Sequence, residues 1–431
     1  MLTIEGQPPV RRTSVRSRFG VLIAHLALLA AIVSLPPGGA QAETQAVLDP
    51  CEDISHWETS GEATVSKVEG REGSAILLRF TTDEKKAPAF VHRPVRGDIT
   101  WQTPEGGLGL WLRGDGSDGF FAVELVDSSF KLRYAALVSL AETSWHRVDI
   151  PWREFTPEIY HPSAKPLPLY HPGGGFKAHI PRHLFIGRWF YFLNHFDAYQ
   201  VTIDHITLET ALPFDTTDYT PPEQGIPRTQ AKLRAKEPVT IVCMGDSITF
   251  GVGAGGPQEA YPGKLEALLR ERFGYEGVRV VNSGVGGLQV PQGSVLIPRD
   301  VVPYEPDLVT VLYGYNDLAP GGVAPDQFED AVGVFIDRVR RLTKGHAEVL
   351  LITSLPGTSE EAWERLQAGA EVMCKLAREK RCGLCDASSS FRELGRETLI
   401  AEYFRTGDVA HPNAKGQDLL ARVLFEAVAG Q

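Results

Sequence analysis

The chain is poor in basic charge, in cysteine and in repetition, and each shortage removes a class of protein. Its 43 Lys+Arg stand against 54 Asp+Glu, a formal net charge of −11. A nucleic-acid binder would need a basic face to displace phosphate counterions, so no such partner is expected. The 43 Gly and 30 Pro follow no triplet period, and no internal repeat appears, which excludes a collagen-like chain. Of the five cysteines only Cys382 and Cys385 have C-x-x-C spacing, and without a second pair they make no zinc site. No clear helix opens at that pair to lower a thiol pKa. It therefore reads as a structural disulfide or two inert thiols, not as a redox centre. What is present is ordinary for a globular protein: 43% hydrophobic and 23% charged residues. At roughly 100–200 residues per domain, 431 residues make two or three domains.

The first 42 residues stand apart. Arg11, Arg12, Arg16 and Arg18 precede an apolar run over 19–35, a Pro36-Pro37-Gly38-Gly39 break follows, and Ala40-Gln41-Ala42 ends the segment. A charged start, an apolar middle and an A-x-A end are the anatomy of a cleaved secretory signal, and predict a secreted or periplasmic protein. The alternative is an uncleaved anchor, for which 17 residues is at the short limit. Without residues 1–42 the remainder carries −14. No stable membrane insertion is expected once the signal is removed. In an oxidising compartment some of the cysteines could pair, and with five at least one is left over.

The rest changes character twice. Residues 63–68, 75–80, 108–112, 120–125 and 199–208 read as strands, punctuated by Gly114-Asp115-Gly116 and Gly173-Gly174-Gly175. No convincing amphipathic helix falls among them. This predicts an all-β sandwich over 43–212. A Pro-containing stretch, 213–237, reads as an exposed linker. From 238 to 431 continuous apolar strands (239–244, 278–281, 308–312, 349–353) alternate with helical patterns at 259–273, 325–342 and 417–428. That alternation predicts a parallel sheet covered on both faces.

Polar groups gather where those strands end. Gly245-Asp246-Ser247 follows the first, Asn282-Ser283-Gly284-Val285-Gly286-Gly287 the second, and Gly314-Tyr315-Asn316-Asp317 the third. Asp408-Val409-Ala410-His411 lies ahead of the last helix. Open α/β sheets hold their ligands at this edge, and serine, histidine, carboxylate and amide donors are the parts of acyl transfer. A serine hydroxyl needs a neighbouring base to take its proton, and imidazole suits that task near neutral pH. Asp246 reads as structural, bonding loop backbone.

These four blocks, in this order, resemble the SGNH/GDSL hydrolase family over 238–431. The resemblance implies a three-layer α/β fold with Ser247 as nucleophile, His411 as general base and Asp408 orienting the imidazole. It implies an oxyanion hole made of the N–H of Ser247, the N–H of Gly287 and the side-chain amide of Asn316. It implies no metal and no cofactor.

The front domain has its own signal. Trp57, Trp101, Trp111, Trp145, Trp152 and Trp189 are six of the seven tryptophans, and aromatic residues crowd 189–199. Exposed rings commonly mark binding, although strand rings such as Trp111 and Trp145 also build cores. Cys51-Glu52-Asp53 with Trp57, the run 109–116 and the run 145–152 resemble a galactose-binding-type jelly roll of carbohydrate-binding modules. Such modules often hold calcium, for which Glu52, Asp53 and Asp204 offer oxygen, though their spacing demands no metal. Together these readings predict an exported esterase that removes acyl groups, foremost acetyl, from a carbohydrate. A lipid or thioester hydrolase and a glycan-binding factor with weak esterase activity are the alternatives.

Overall fold

The computed structural model describes residues 46–81, 89–95, 105–128, 133–157, 182–188, 198–256 and 258–430. The segment expected to be a signal, Trp101, Trp189 and most of the aromatic run after it, and the triple glycine at 173–175 lie outside them. Gln45–Gln431 form one compact unit.

Among the described residues twelve strands make the front half: β1 Ala46–Asp49, β2 Glu58–Ser60, β3 Ala63–Glu69, β4 Ser74–Phe80, β5 Ala89–Pro94, β6 Gly107–Arg113, β7 Phe120–Val126, β8 Arg133–Ser139, β9 His146–Pro151, β10 Thr156–Pro157, β11 His183–Arg188 and β12 Tyr199–Glu209. They pair antiparallel in two sheets. One runs β3-β4-β12-β6-β9, with β1 on the far end of β12; the other runs β10-β8-β7-β11-β5-β2. Ile76, Leu78, Leu110, Leu112, Val123, Leu125, Ile186 and Ile203 fill the space between them. The five strands expected from alternation coincide with β3, β4, β6, β7 and β12. Among the described residues of this half the one helical piece is a 3-10 turn, Trp152–Glu154.

The back half carries five parallel strands, β13 Val239–Gly245, β14 Val278–Gly284, β15 Leu308–Leu312, β16 Glu348–Ile352 and β17 Gly383–Cys385, in the order β14-β13-β15-β16-β17. Its helices are α1 Pro227–Ala235, α2 Ser247–Phe250, α3 Tyr261–Phe273, α4 Val290–Asp300, α5 Tyr315–Leu318, α6 Pro325–Leu342, α7 Glu360–Glu379, α8 Ala387–Arg392, α9 Arg396–Thr398 and α10 Ala414–Ala429. α4, α6 and α7 build a core on one face of the sheet, and α3, α8 and α10 build one on the other. Strand order reverses between β13 and β15, which makes the carboxyl end of β13 the switch point where such sheets bind ligands.

One feature differs from the sequence expectation. The segment 213–237 is not an exposed linker throughout. Its second part forms α1, with Leu233 fully buried, because the carboxylate of Glu348 accepts the N–H groups of Arg228 (3.0 Å) and Thr229 (2.8 Å) at the helix start. Asp215 fixes the first part, accepting from Thr217 N–H (3.0 Å), Tyr219 Oη (2.9 Å) and Lys344 Nζ (2.6 Å). The Cys382–Cys385 run lies at the edge of the sheet. All five cysteines are free thiols, and burial pushes Cys382 up to about 11 and Cys385 up to about 12.

Candidate active site

β13 is apolar and buried along almost its whole length, as a strand covered on both faces must be, and its end delivers the turn that carries Ser247. The turn returns so tightly that a Cβ on Gly245 would lie 2.0 Å from Thr249 Oγ1 and 2.7 Å from Leu312 O. A Cβ on Gly284, at the end of β14, would lie 2.2 Å from the N of Phe250. Only glycine fits either position. Asp246 caps α2, its Oδ1 accepting from Ile248 N–H at 2.9 Å, so it serves the loop backbone as expected. Ser247 is then the first helical residue, and its N–H is one of those an α-helix leaves without an internal partner.

The histidine arrives on the segment before α10. Asn413 caps that helix through Lys415 and Gly416 N–H and donates to Glu402 O (2.9 Å) and Phe404 O (3.1 Å). Asp408 shapes the turn itself. Its Oδ1 accepts from the N–H groups of Ala410 (2.9 Å) and His411 (3.1 Å), and its Oδ2 accepts from His411 Nδ1 at 2.8 Å. An ionised carboxylate only accepts, so Nδ1 carries the proton and Nε2 is left as the acceptor for Ser247 Oγ, 2.8 Å away. Burial pushes the Asp408 carboxyl up, but Ala410 N–H and the His411 ring outweigh it and hold it below the ordinary range. The side chains of His411 and Asp408 are about one-fifth exposed, so solvent can reach them.

Gly287 sits at φ +80 with open space around its Cα, on the exposed part of the loop after β14. Asn282 ties that loop to the Ser247 turn, donating to Thr249 O (2.8 Å) and accepting from Gly284 N–H (3.0 Å). Asn316 lies beside the same turn, but its amide is engaged. It donates to Leu288 O at 2.9 Å and faces Asp246 Oδ2 at 3.3 Å. It is first a strut between the two loops, and a substrate oxygen would have to displace the longer contact. Asp317 anchors the third block by accepting from Val290 N–H (2.9 Å) and Gly314 N–H (3.1 Å). The structure thus brings together Ser247, His411 and Asp408, with Asn316 against their turn.

Sequence reading missed several supporting residues. Gln417, fully buried in α10, accepts from Tyr261 N–H (2.9 Å) and donates to Ile248 O (3.1 Å), linking α10, α3 and the Ser247 turn. Tyr261 Oη meets Thr249 Oγ1 at 3.0 Å beneath that turn. Tyr315 is half-buried, and burial together with the nearby carboxylates of Asp408 and Asp246 raises its phenol pKa. Val409, between Asp408 and His411, is 48% exposed. Being the neighbour of a motif residue was the one signal available for Tyr315 and Val409. Gln417 had none.

The expected front-domain ligands do not converge. Glu52 accepts from Ser74 N–H (2.9 Å), Asp204 from Arg71 N–H (2.9 Å), and Asp53 from Ser55. Among the described residues no group of three or more His, Cys, Asp or Glu could hold a metal ion. Trp57 and Trp152 are buried, and Arg71 and Arg113 cover the half-buried rings of Trp111 and Trp145. Among the described residues no helix is long and apolar enough to cross a membrane.

Comparison with known proteins concerns the back half. Residues 243–419 match the GDSL-like Lipase/Acylhydrolase family. An acetylxylan esterase of Geobacillus stearothermophilus is 24% identical over 208 residues, covering 44% of this chain and 93% of the relative. Among solved structures, an alpha/beta hydrolase from the metagenome of Lake Arreo is 23% identical with a TM-score of 0.39, covering 45% of this chain and 97% of that one. The crystal structure of an acetylxylan esterase from Geobacillus stearothermophilus is 22% identical, also at 0.39, covering 45% and 95%.

Proposed function

We propose that the protein is an exported serine esterase that removes acetyl groups from a carbohydrate, a reading supported by the match of residues 243–419 to the GDSL-like lipase/acylhydrolase family. The observation that carries this reading is the unbroken relay from Asp408 through His411 to Ser247, two contacts of 2.8 Å each at the switch point of the sheet. Similarity to an acetylxylan esterase supports an acetylated glycan as substrate. The segment 1–42 supports export.

Each atom of the relay has a task in such a reaction. Ser247 Oγ attacks the acyl carbon while its proton passes to His411 Nε2. Asp408 stabilises the imidazolium and keeps the ring aimed. Negative charge moves to the former carbonyl oxygen, where the N–H groups of Ser247 and Gly287 can receive it, with Asn316 beside them. When the C–O bond breaks, Nε2 gives its proton to the departing sugar hydroxyl, leaving an acyl-serine. Water, losing a proton to Nε2, attacks that ester; Nε2 then returns the proton to Ser247 Oγ as its bond to the acyl carbon breaks, and acetate leaves.

The test is acetate release from a panel of acetylated polysaccharides, with Ser247→Ala as control. Release that disappears in the variant is expected; release undiminished by Ser247→Ala would overturn the mechanism. A lipid or thioester substrate is the second reading, favoured by the exposed Val409 beside the relay. Faster turnover of decanoyl than acetyl aryl esters would select it.

A further inference from the structure

The helix α4 directly follows the loop of Gly287, and its first turn holds the Asn316 segment. Gln289, its N-cap, donates through Nε2 to Asn316 O (3.1 Å) and through its N–H to Gln292 Oε1 (2.6 Å). Val290 N–H reaches Asp317 Oδ1, and Leu288 O receives the Asn316 amide. Wherever the start of α4 moves, Gly287 and Asn316 must follow.

Ten of the eleven residues of α4 are buried, all except Pro298. A helix buried all round needs cover on every side. One side presses on the parallel sheet so closely that a Cβ on Gly293 would lie 2.3 Å from Tyr313 Oη. The rest of its cover includes the front half: β8 and β10 lie against α4, and Phe90, Ala122, Val126, Ala135 and Phe185 share one buried cluster with Val290, Val295, Leu296 and Ile297. β7 shows the consequence in its own pattern. Phe121, Val123 and Leu125 enter the sandwich core, while Ala122 and Val126 point the other way and are equally buried. The two halves are also pinned together. Glu154 receives Arg338 and Arg341 at 3.0 Å each.

We propose that the front sheet is a positioning element of the esterase site, a wall that clamps α4 and thereby aims Gly287 and Asn316. This rests on the site assignment above. It assigns that face of the sheet to the enzyme itself, not to a tethered module swinging on a linker.

The test uses neighbouring residues of one strand that face opposite ways, in the full chain. Ala135 on β8 faces α4, and Ala136 faces the sandwich core. A leucine at either overpacks its surroundings and shifts backbone. Ala135→Leu is expected to lower kcat on 4-nitrophenyl acetate about 10-fold, a fraction of the 10²–10³ that one whole oxyanion donor is worth, with KM within about twofold. Ala136→Leu is expected to lower Tm comparably and leave kcat within about twofold. Should Ala135→Leu fail to fold, Val126→Ala against Val123→Ala decides, with an expected kcat loss of about threefold in the first alone. Equal kcat effects within a pair, or none, would overturn the proposal. Hydrolysis that survives Ser247→Ala would instead mean that the site assignment itself is wrong.

Discussion

Replacing Asp408 by asparagine separates holding a ring from choosing its tautomer. The amide oxygen of Asn can keep the two backbone donors, Ala410 and His411 N–H at 2.9 and 3.1 Å, so the turn survives. Its NH2 then faces His411 Nδ1, where the carboxylate oxygen stood at 2.8 Å. An NH2 cannot accept a proton donor, so the imidazole must carry its hydrogen on Nε2 and loses the lone pair that Ser247 uses. The expected loss in kcat on 4-nitrophenyl acetate is on the order of 10⁴-fold, about 5.5 kcal/mol. His411→Ala should cost more, on the order of 10⁶-fold. Asp408→Ala makes the contrast. It removes the acceptor of two backbone N–H groups that shape the turn, a loss of about 0.5–1.5 kcal/mol for each bond, and so lowers Tm further than Asn does. The ring, however, is free to take either tautomer with water, so the alanine variant should turn over faster than the asparagine variant despite being less stable. Steady-state rates and Tm for the three variants decide. An asparagine variant within tenfold of wild type, or an alanine variant slower than it, would refute the reasoning.

Gln417→Ala leaves Tyr261 N–H and Ile248 O buried without partners, and urea titration should register a loss of about 2–5 kcal/mol; a change under about 0.5 kcal/mol would show the link to be dispensable. Gly245→Ala drives a Cβ into Thr249 and Leu312, so folded yield should collapse while Gly255→Ala, with open space at its Cα but a positive φ, stays soluble at a cost of about 1 kcal/mol. Complete burial, with Asp317 adding to it, pushes the Asp246 carboxyl up to about 7 against the pull of Ile248 N–H. A raised acid stabilises the fold most below its unfolded value and loses that contribution as pH rises towards about 7. Asp246→Asn removes this dependence while keeping the cap, so its stability should gain on wild type between about pH 4 and pH 7 in denaturant titrations; a gap that does not vary with pH would mean the carboxyl does not titrate there.

The back half was legible because its signals are local. Strands of consecutive apolar residues end in glycine and polar residues, and helices such as α6 carry one apolar stripe, so the observed bounds of β15 and α6 match those expected from pattern alone. The proposed relay was legible through the family resemblance, whose pattern places an aspartate three residues before the histidine; in the fold Asp408 accepts the N–H groups of the turn that brings His411 round. Gln417 was not, since a glutamine one turn into a helix reads as surface until the fold buries it. Asn316 was legible as a neighbour of the nucleophile but not as a strut, because its partners Leu288 O and Asp246 Oδ2 come from two other loops.

What pattern could not show was the joining of the halves, and α4 explains why. Its sequence, Val290-Pro291-Gln292-Gly293-Ser294-Val295-Leu296-Ile297-Pro298-Arg299-Asp300, holds two prolines and a glycine and has no polar stripe. Taken alone it favours a loop, because an isolated helix of this composition could not offset its own ordering entropy. Pro291 is tolerated in the first turn, where its missing N–H costs nothing, and Gly293 lets the helix approach Tyr313. Neither fact makes the helix stable; burial between its neighbours does. A buried helix with no exposed face carries no amphipathic signature, and the strands that cover it, β7 and β8, read as ordinary sandwich strands. The expectation of two domains on a linker followed directly from that silence. Ala122, Val126 and Ala135 held the contrary clue, since outward positions of a freely solvated sheet would carry polar side chains, and here they carry small apolar ones.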